Sequence, residues 1–394
     1  MMHKTKNTGL YRKLTIIGFA FLLCVLLSCD QASIFADIAV EPPPVDPRIP
    51  GSPTNMVIYD NKMYVAGANS NSLHFYANGV WSIMPTPGKI VSIAASDEAS
   101  GKLYALLTDT DAMDAYLARY NGSDWDKIDT NAFDGSIQCI YGTDGYVFVG
   151  IRKGGTWSIY YIRDSDPSLT PITMSPDPAQ INGVAYDGVD FFFATEGKGI
   201  YKSDPGLASC TQTDVTEGHV KGIININGKI TAVTSAGNIL VYDGTNFVTI
   251  SSQSDLKYTG AMCVWKKYSS SSWTDTLLLL GVSNTGSSNR GYRELYLPGG
   301  VPTIIDGQTL AIPGNDASPS SVDPGDRSKY EASIARYSVY HILQVPDSVD
   351  NYPHDGTPGP GHYIDPEGKH PKIFASTMQN GLQVLINGQW NAQP

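Results

Sequence analysis

The sequence predicts an all-β fold, a seven-bladed β-propeller of four-stranded antiparallel blades, with six or eight blades as alternatives. Three observations predict it. One phrase recurs from end to end: it reads Met63-Tyr64-Val65-Ala66-Gly67 with Asn78-Gly79-Val80-Trp81 near the start, and Ile373-Phe374-Ala375-Ser376 with Asn387-Gly388-Gln389-Trp390 at the close. Copies follow at roughly 40-residue intervals, the period of propeller blades. Composition is turn-rich and aromatic-rich, with 39 Gly, 25 Pro and 23 Tyr against 16% charged residues among 394. That excludes an acidic disordered chain and a helical bundle.

The first unit divides into four short apolar segments, Met56–Tyr59, Met63–Ala66, Leu73–Tyr76 and Val80–Ile83, separated by Asp60-Asn61 and Asn78-Gly79. Those turn residues tolerate positive φ and predict tight hairpins, hence an antiparallel meander. A lone meander leaves its faces wet, whereas radial stacking covers both. The second unit runs Ile90–Ala94, Leu103–Leu106, Tyr116–Tyr120 and Trp125; the third Ile137–Tyr141, Tyr146–Gly150, Ser158–Ile162 and Pro171–Met174. The fourth has Ile181–Ala185, Phe191–Ala194 and Gly199–Lys202, with an outer strand near Cys210. The fifth has Val220–Ile224, Ile230–Val233, Ile239–Tyr242 and Phe247; the sixth Ala261–Trp265, Leu277–Gly281 and Arg293–Leu297. The seventh pairs Ser333–Ala335 with the closing phrase, and the ring closes by packing of the last unit on the first without a shared strand.

The count rests on a small or polar residue at a matching place in each first strand: Asn55, Ser92, Cys139, Gly183, Gly222, Ala261 and Ser333. First strands crowd around the axis, where compact side chains fit. Insertions at 299–330 and 346–371 break the rhythm, and connectivity puts them on opposite faces.

Before the repeats, Lys4, Lys6, Arg12 and Lys13 precede an apolar run from Leu14 to Leu27, too short for a stable spanning helix and patterned as an export signal. The run ends Leu26-Leu27-Ser28-Cys29. This resembles a bacterial lipobox in which Cys29 is lipidated; Leu27 departs from the usual small residue, as in relaxed lipoboxes of spirochaete lipoproteins. Residues 1–28 are then a lipoprotein signal peptide, 29–52 a lipidated Pro-rich tether, and 53–394 the propeller. Cleavage leaves 23 basic and 38 acidic residues, which argues against nucleic acid. Cys139, Cys210 and Cys263 remain, as one disulfide plus a free thiol or as three buried thiols.

The aromatic closings at Trp81, Trp125, Phe247 and Trp390 are read as packing between adjacent sheets. His354, Asp355, His362, Asp365, Glu367 and His370 gather imidazole and carboxylate within one insertion, but at no compact metal-ligand spacing. Asp109-Thr110-Asp111 with Asp114 lacks the glycine and terminal glutamate of a calcium loop. No metal or cofactor is therefore expected. Charged residues at tips between second and third strands, Asp109, Asp111, Arg152, Lys153, Glu196, Lys198 and Arg290, are the candidate binding residues.

The overall pattern, apolar-Tyr-apolar-Ala followed by Gly-Leu-x-x-Tyr-x-Asn-Gly-x-Trp, resembles the propeller repeats of bacterial, spirochaete-like lipoproteins and of two-component-regulator sensor domains, over residues 53–394. The resemblance implies a propeller fold and carries no defined activity. The expected function is a monomeric, non-enzymatic binding or scaffolding module in the cell envelope, held to a membrane by its N-terminal lipid and presenting loops to a protein or glycan partner. The alternative is a hydrolase or lyase acting on a sugar or lactone with acids from the hairpin tips.

Overall fold

The computed structural model describes residues 52–67, 70–97, 101–109, 115–129, 135–216, 218–252, 256–269, 272–283, 291–297, 337–346, 373–378, 380–386 and 389–392, with the single positions 49, 254, 302, 334 and 349. Cys29, Asp111, Arg290, the six insertion residues from His354 to His370, and the body of both insertions lie outside them. Residues Ile49–Gln393 form one compact unit.

Every strand belongs to a sequential meander. The first holds β1 (Pro53–Tyr59), β2 (Lys62–Gly67), β3 (Ser72–Ala77) and β4 (Val80–Pro85). The second holds β5 (Lys89–Ala95), β6 (Leu103–Thr108), β7 (Ala115–Tyr120) and β8 (Trp125–Lys127). The third holds β9 (Ser136–Thr143), β10 (Tyr146–Lys153), β11 (Thr156–Arg163) and β12 (Asp166–Ser175). The fourth holds β13 (Ile181–Tyr186), β14 (Phe191–Thr195), β15 (Ile200–Ser203) and β16 (Ser209–Gln212). The fifth holds β17 (Val220–Ile226), β18 (Lys229–Thr234), β19 (Asn238–Tyr242) and β20 (Phe247–Ser252). The sixth has three described strands, β21 (Tyr258–Ser269), β22 (Ser272–Val282) and β23 (Tyr292–Tyr296). The last holds β24 (Val339–Gln344), β25 (Ile373–Thr377), β26 (Gly381–Ile386) and β27 (Gln389–Ala392). Asp60, Asn61 and Asn78 adopt positive φ in the hairpins, as their side chains permit.

The first strands meet in a cycle: β1 touches β5, then β9, β13, β17, β21 and β24 follow in turn, and β24 returns to β1. The core is divided among the gaps between neighbouring meanders. Phe374 and Leu382 of the last meander pack with Met56, Val65 and Tyr76 of the first, while Phe192 of β14 packs with Tyr242 and Phe247 of the fifth. This is the radial stacking that covers both faces of each sheet.

The aromatic closings occupy those gaps. Tyr76 pairs across the hairpin with Trp81, Tyr120 with Trp125, Tyr242 with Phe247 and Leu385 with Trp390. Trp81 lies 6.1 Å from Phe374, Phe247 6.1 Å from Phe192, and Trp390 5.7 Å from Tyr292, each across a junction. Such ring pairs add about 0.5–1.5 kcal/mol each beyond area burial.

Two features differ from the sequence reading. The last meander begins at Val339, not at Ser333: Ile334 is instead a buried residue packed beneath Tyr292, and its carbonyl accepts from Tyr337 N–H. The insertion displaced the expected interval, and the true axial residue is not small. The outer strands β12 and β16 also pair in parallel, Met174 opposite Cys210, which merges two meanders into one eight-stranded sheet. Cys139, Cys210 and Cys263 are buried thiols outside any disulfide, and burial pushes the Cys139 and Cys210 thiols up to about 12.

Candidate functional site

All the first strands carry an irregularity at the same register. One extra residue, Thr54, Val91, Gln138, Asn182, Lys221 or Tyr340, is inserted opposite the second strand, and Thr259 to Ala261 form a wider version in β21. A β-bulge of this kind bends the strand and re-aims its side chains. The residues after the bulge are Asn55, Ser92, Cys139, Gly183, Gly222 and, in β24, His341. Six of the seven places expected from the sequence thus mark the bulges; the seventh is a histidine rather than Ser333.

The bulges bring the strands close. Asn55 donates from Nδ2 to the Ile93 carbonyl and accepts from Ile93 N–H at 3.1 Å, so one amide completes the free edge of β5. Tyr141 OH donates to the Ile181 carbonyl at 3.2 Å and Asn182 Nδ2 to the Val220 carbonyl at 2.8 Å. Thr259 Oγ1 donates to the Val339 carbonyl, and Ser376 Oγ to the Pro53 carbonyl at 2.5 Å, which joins the last meander to the first. Between β17 and β21 the approach is backbone to backbone: a Cβ on Gly222 would overlap the Gly260 carbonyl.

A cavity of about 800 Å³ runs along the axis, lined by the bulge residues and by the first strands down to their far ends at Ile58, Asp97, Asp144 and Ile224. Its two mouths differ. At the bulge end, Glu196 lies 2.9 and 2.8 Å from Lys221 Nζ, 2.7 Å from His219 Nδ1, and accepts from Asn182 Nδ2 at 2.7 Å. Burial alone would raise the Glu196 pKa; the hydrogen bonds from Lys221 and Asn182 and the Lys221 charge outweigh it and hold the carboxylate below its usual range.

At the other end a second hollow of about 550 Å³ is lined by Asp97, Thr143, Asp144, Tyr186, Asp187 and Asn225. Burial, reinforced by the Asp97 charge, raises the Asp144 pKa. Burial likewise raises Asp164, although Ser96 Oγ donates to it at 2.7 Å. Close by, a Cβ on Gly142 would overlap the Ala95 carbonyl, and Gly145 N–H donates to the Ser96 carbonyl at 2.9 Å.

Among the described members of the expected binding set, Glu196 joins a network beside the axis. Asp109 ends β6 at the surface, Arg152 lies 6.0 Å over the Trp157 ring, Lys153 caps the same hairpin, and Lys198 accepts from Gln212 Nε2 at 2.7 Å through its carbonyl. None of these four described residues lines the axial cavity. The residues that line the channel stand immediately before the small residues already marked in the sequence, a signal one position away from the one used. Among the described residues no group of three or more His, Cys, Asp or Glu is placed to hold a metal, and no helix is long and apolar enough to cross a membrane.

No protein-family model matches the chain, and no curated protein matches it. Solved structures do. YCF48 bound to D1 peptide is similar at a TM-score of 0.53 and 12% identity, covering 87% of this chain and 94% of that one. BBS1N in complex with ARL6DN, soaked with lead, is similar at a TM-score of 0.51 and 13% identity, covering 85% and 92%. Both are β-propellers, and so is this chain.

Proposed function

We propose that the protein is a non-enzymatic binding module, a seven-bladed propeller that presents its axial channel and bulge-end mouth to a protein or glycan partner. The observation that carries this reading is the Glu196 network. The acidic tip residue Glu196 is ionised and committed to Lys221, His219 and Asn182, so it serves as framework for a recognition surface of amides, hydroxyls and backbone edges. The closed cycle of first strands supports the blade number. YCF48, a structural neighbour, is described bound to D1 peptide, which supports partner binding as a use of this fold.

The module is held in the cell envelope by a lipid on Cys29, with the Pro-rich residues to 52 as spacer. The acidic balance suits a partner other than nucleic acid, and the unit works as a monomer. Crosslinking capture from intact cells tests the site: wild type recovers a partner that Lys221→Glu loses, and the same recovery from both overturns the reading. Cys29→Ala is expected to abolish lipid labelling and membrane fractionation; unchanged association sinks the anchor.

One observation favours a second reading. Asp144 has a raised pKa beside Asp97 at a hairpin tip, which suits a proton-donating carboxyl in a hydrolase or lyase acting on a sugar or lactone. Turnover of such substrates that Asp144→Asn removes would establish it.

A further inference from the structure

Where five first strands put a small side chain or an amide after the bulge, β24 puts His341, and the residue before it is Tyr340. Both line the axial cavity. We propose that this channel takes an uncharged saccharide, stacked on Tyr340 at the mouth and hydrogen-bonded by His341 one residue further along the strand. The proposal rests on the reading of the axial channel as the binding site and names its ligand class.

The imidazole supplies the first argument. His341 Nδ1 is sealed from solvent with no hydrogen-bond partner, while the residue as a whole keeps partial exposure to the cavity. A buried N–H without an acceptor costs more than a bare lone pair, so the proton resides on Nε2. Burial pushes the ring down to about 4, and it is neutral at pH 7. A neutral N–H donor suits a hydroxyl or acetal oxygen.

Charge along the channel supplies the second. An anionic ligand spanning it would meet Asp97 and Asp144 at the far end, and a cationic one would meet the Nε2–H of His341 where it needs an acceptor, Lys221 being already paired with Glu196. A neutral ligand meets neither penalty. The groups it would find at the mouth are the acceptor oxygens of Thr54, Gln138 and Asn182, whose donors already serve Ala66, Ser136, Glu196 and Val220, together with an aromatic ring. Tyr340 is 44% exposed, lines the cavity, and its hydroxyl lies 3.6 Å from Met378 Sδ. Amides and hydroxyls around an exposed ring match a ligand with hydroxyl edges and apolar C–H faces.

The full chain is screened on an array of neutral oligosaccharides, and the bound sugars are titrated calorimetrically. Tyr340→Ala and His341→Ser are each expected to weaken binding about tenfold, the loss of one stacking or hydrogen-bond contact. His341→Asn, which keeps an N–H donor, retains part of the affinity. Ser92 occupies the equivalent place in β5, so His341→Ser should fold; should it not, the wild-type Nε2–H resonance of His341 still has to shift on adding sugar. Absence of any bound neutral sugar, equal affinity in both variants, or acetyl-trialanine amide bound through His341 in place of sugar overturns the proposal. If sugar binding fails while the Lys221-dependent capture persists, only this inference falls; if both fail, the binding-module reading falls with it.

Discussion

The two mouths of the channel are built from the same strands and finished differently. At the bulge end, side chains from the fourth and fifth meanders, Glu196, Lys221, His219 and Asn182, meet in a compensated network. At the other end, the Asp97 charge adds to burial in raising the Asp144 pKa, and the strands are held by backbone approach at Gly142 and Gly145. Side-chain charge pairing thus ties the rim at one end, and close backbone packing ties it at the end where two carboxylates lie near each other. A scaffold held by its backbone can tolerate repulsion among its side chains; one held by side chains cannot.

That contrast can be broken at its strongest point by Gly142→Ala. The new Cβ meets the Ala95 carbonyl, and the loss should be about 3 kcal/mol in urea unfolding; a loss below about 1 kcal/mol would show that the acidic end is not backbone-locked. Next in size is Lys221→Met, which leaves Glu196 with fewer donors and should cost about 1–2 kcal/mol after allowance for partial exposure. A double-mutant cycle with Glu196→Gln should return a clear coupling, and additivity would dissolve the network.

The third prediction concerns pH. Burial lowers the pKa of His341 and of His74, so the unfolded chain binds more protons than the folded one below about 6.5. Stability is therefore full above that pH and is lost as pH falls toward about 4. His341→Ser should flatten the dependence of the unfolding midpoint on pH by an amount on the order of 1 kcal/mol, less than a fully buried ring would give; an unchanged slope would contradict a neutral His341. The smallest effect belongs to Asp144→Asn. Its folded pKa is raised, so the charge is disfavoured in the folded state at neutral pH and removal should stabilise by a few tenths of a kcal/mol at pH 7. The gain should vanish below about pH 4, where the carboxyl is protonated in both states.

Much of the frame was legible because it is local. The pairs Tyr76 with Trp81 and Tyr120 with Trp125 sit five residues apart across a two-strand turn, so their spacing is printed in the chain. The axial places from Asn55 to Ala261 follow from steric crowding that acts in every blade. His341 escaped because an insertion shifted its interval and because the rule of compactness does not hold there. The Glu196 network escaped for another reason: its partners lie 14 and 25 residues away and belong partly to the next meander, so nothing in any one repeat announces it. The parallel pairing of β12 with β16 is equally non-local. Charge at hairpin tips was equally visible in the sequence; of those residues Glu196 enters the network, while Arg152, Lys153 and Lys198 do not line the axial cavity.

The bond from Ser376 Oγ to the Pro53 carbonyl spans 323 residues. Between those two positions each meander can assemble from adjacent chain, but the circle has no last contact until residues near the carboxyl end are available. During synthesis the growing protein is consequently an open arc, with the inner faces of the first meander, Met56 and Tyr76 among them, awaiting Phe374. Long-range closure of this kind slows folding and prolongs exposure of apolar surface. The stretch of time between making the first blade and finishing the last is when the apolar face that Phe374 will cover is most open to solvent.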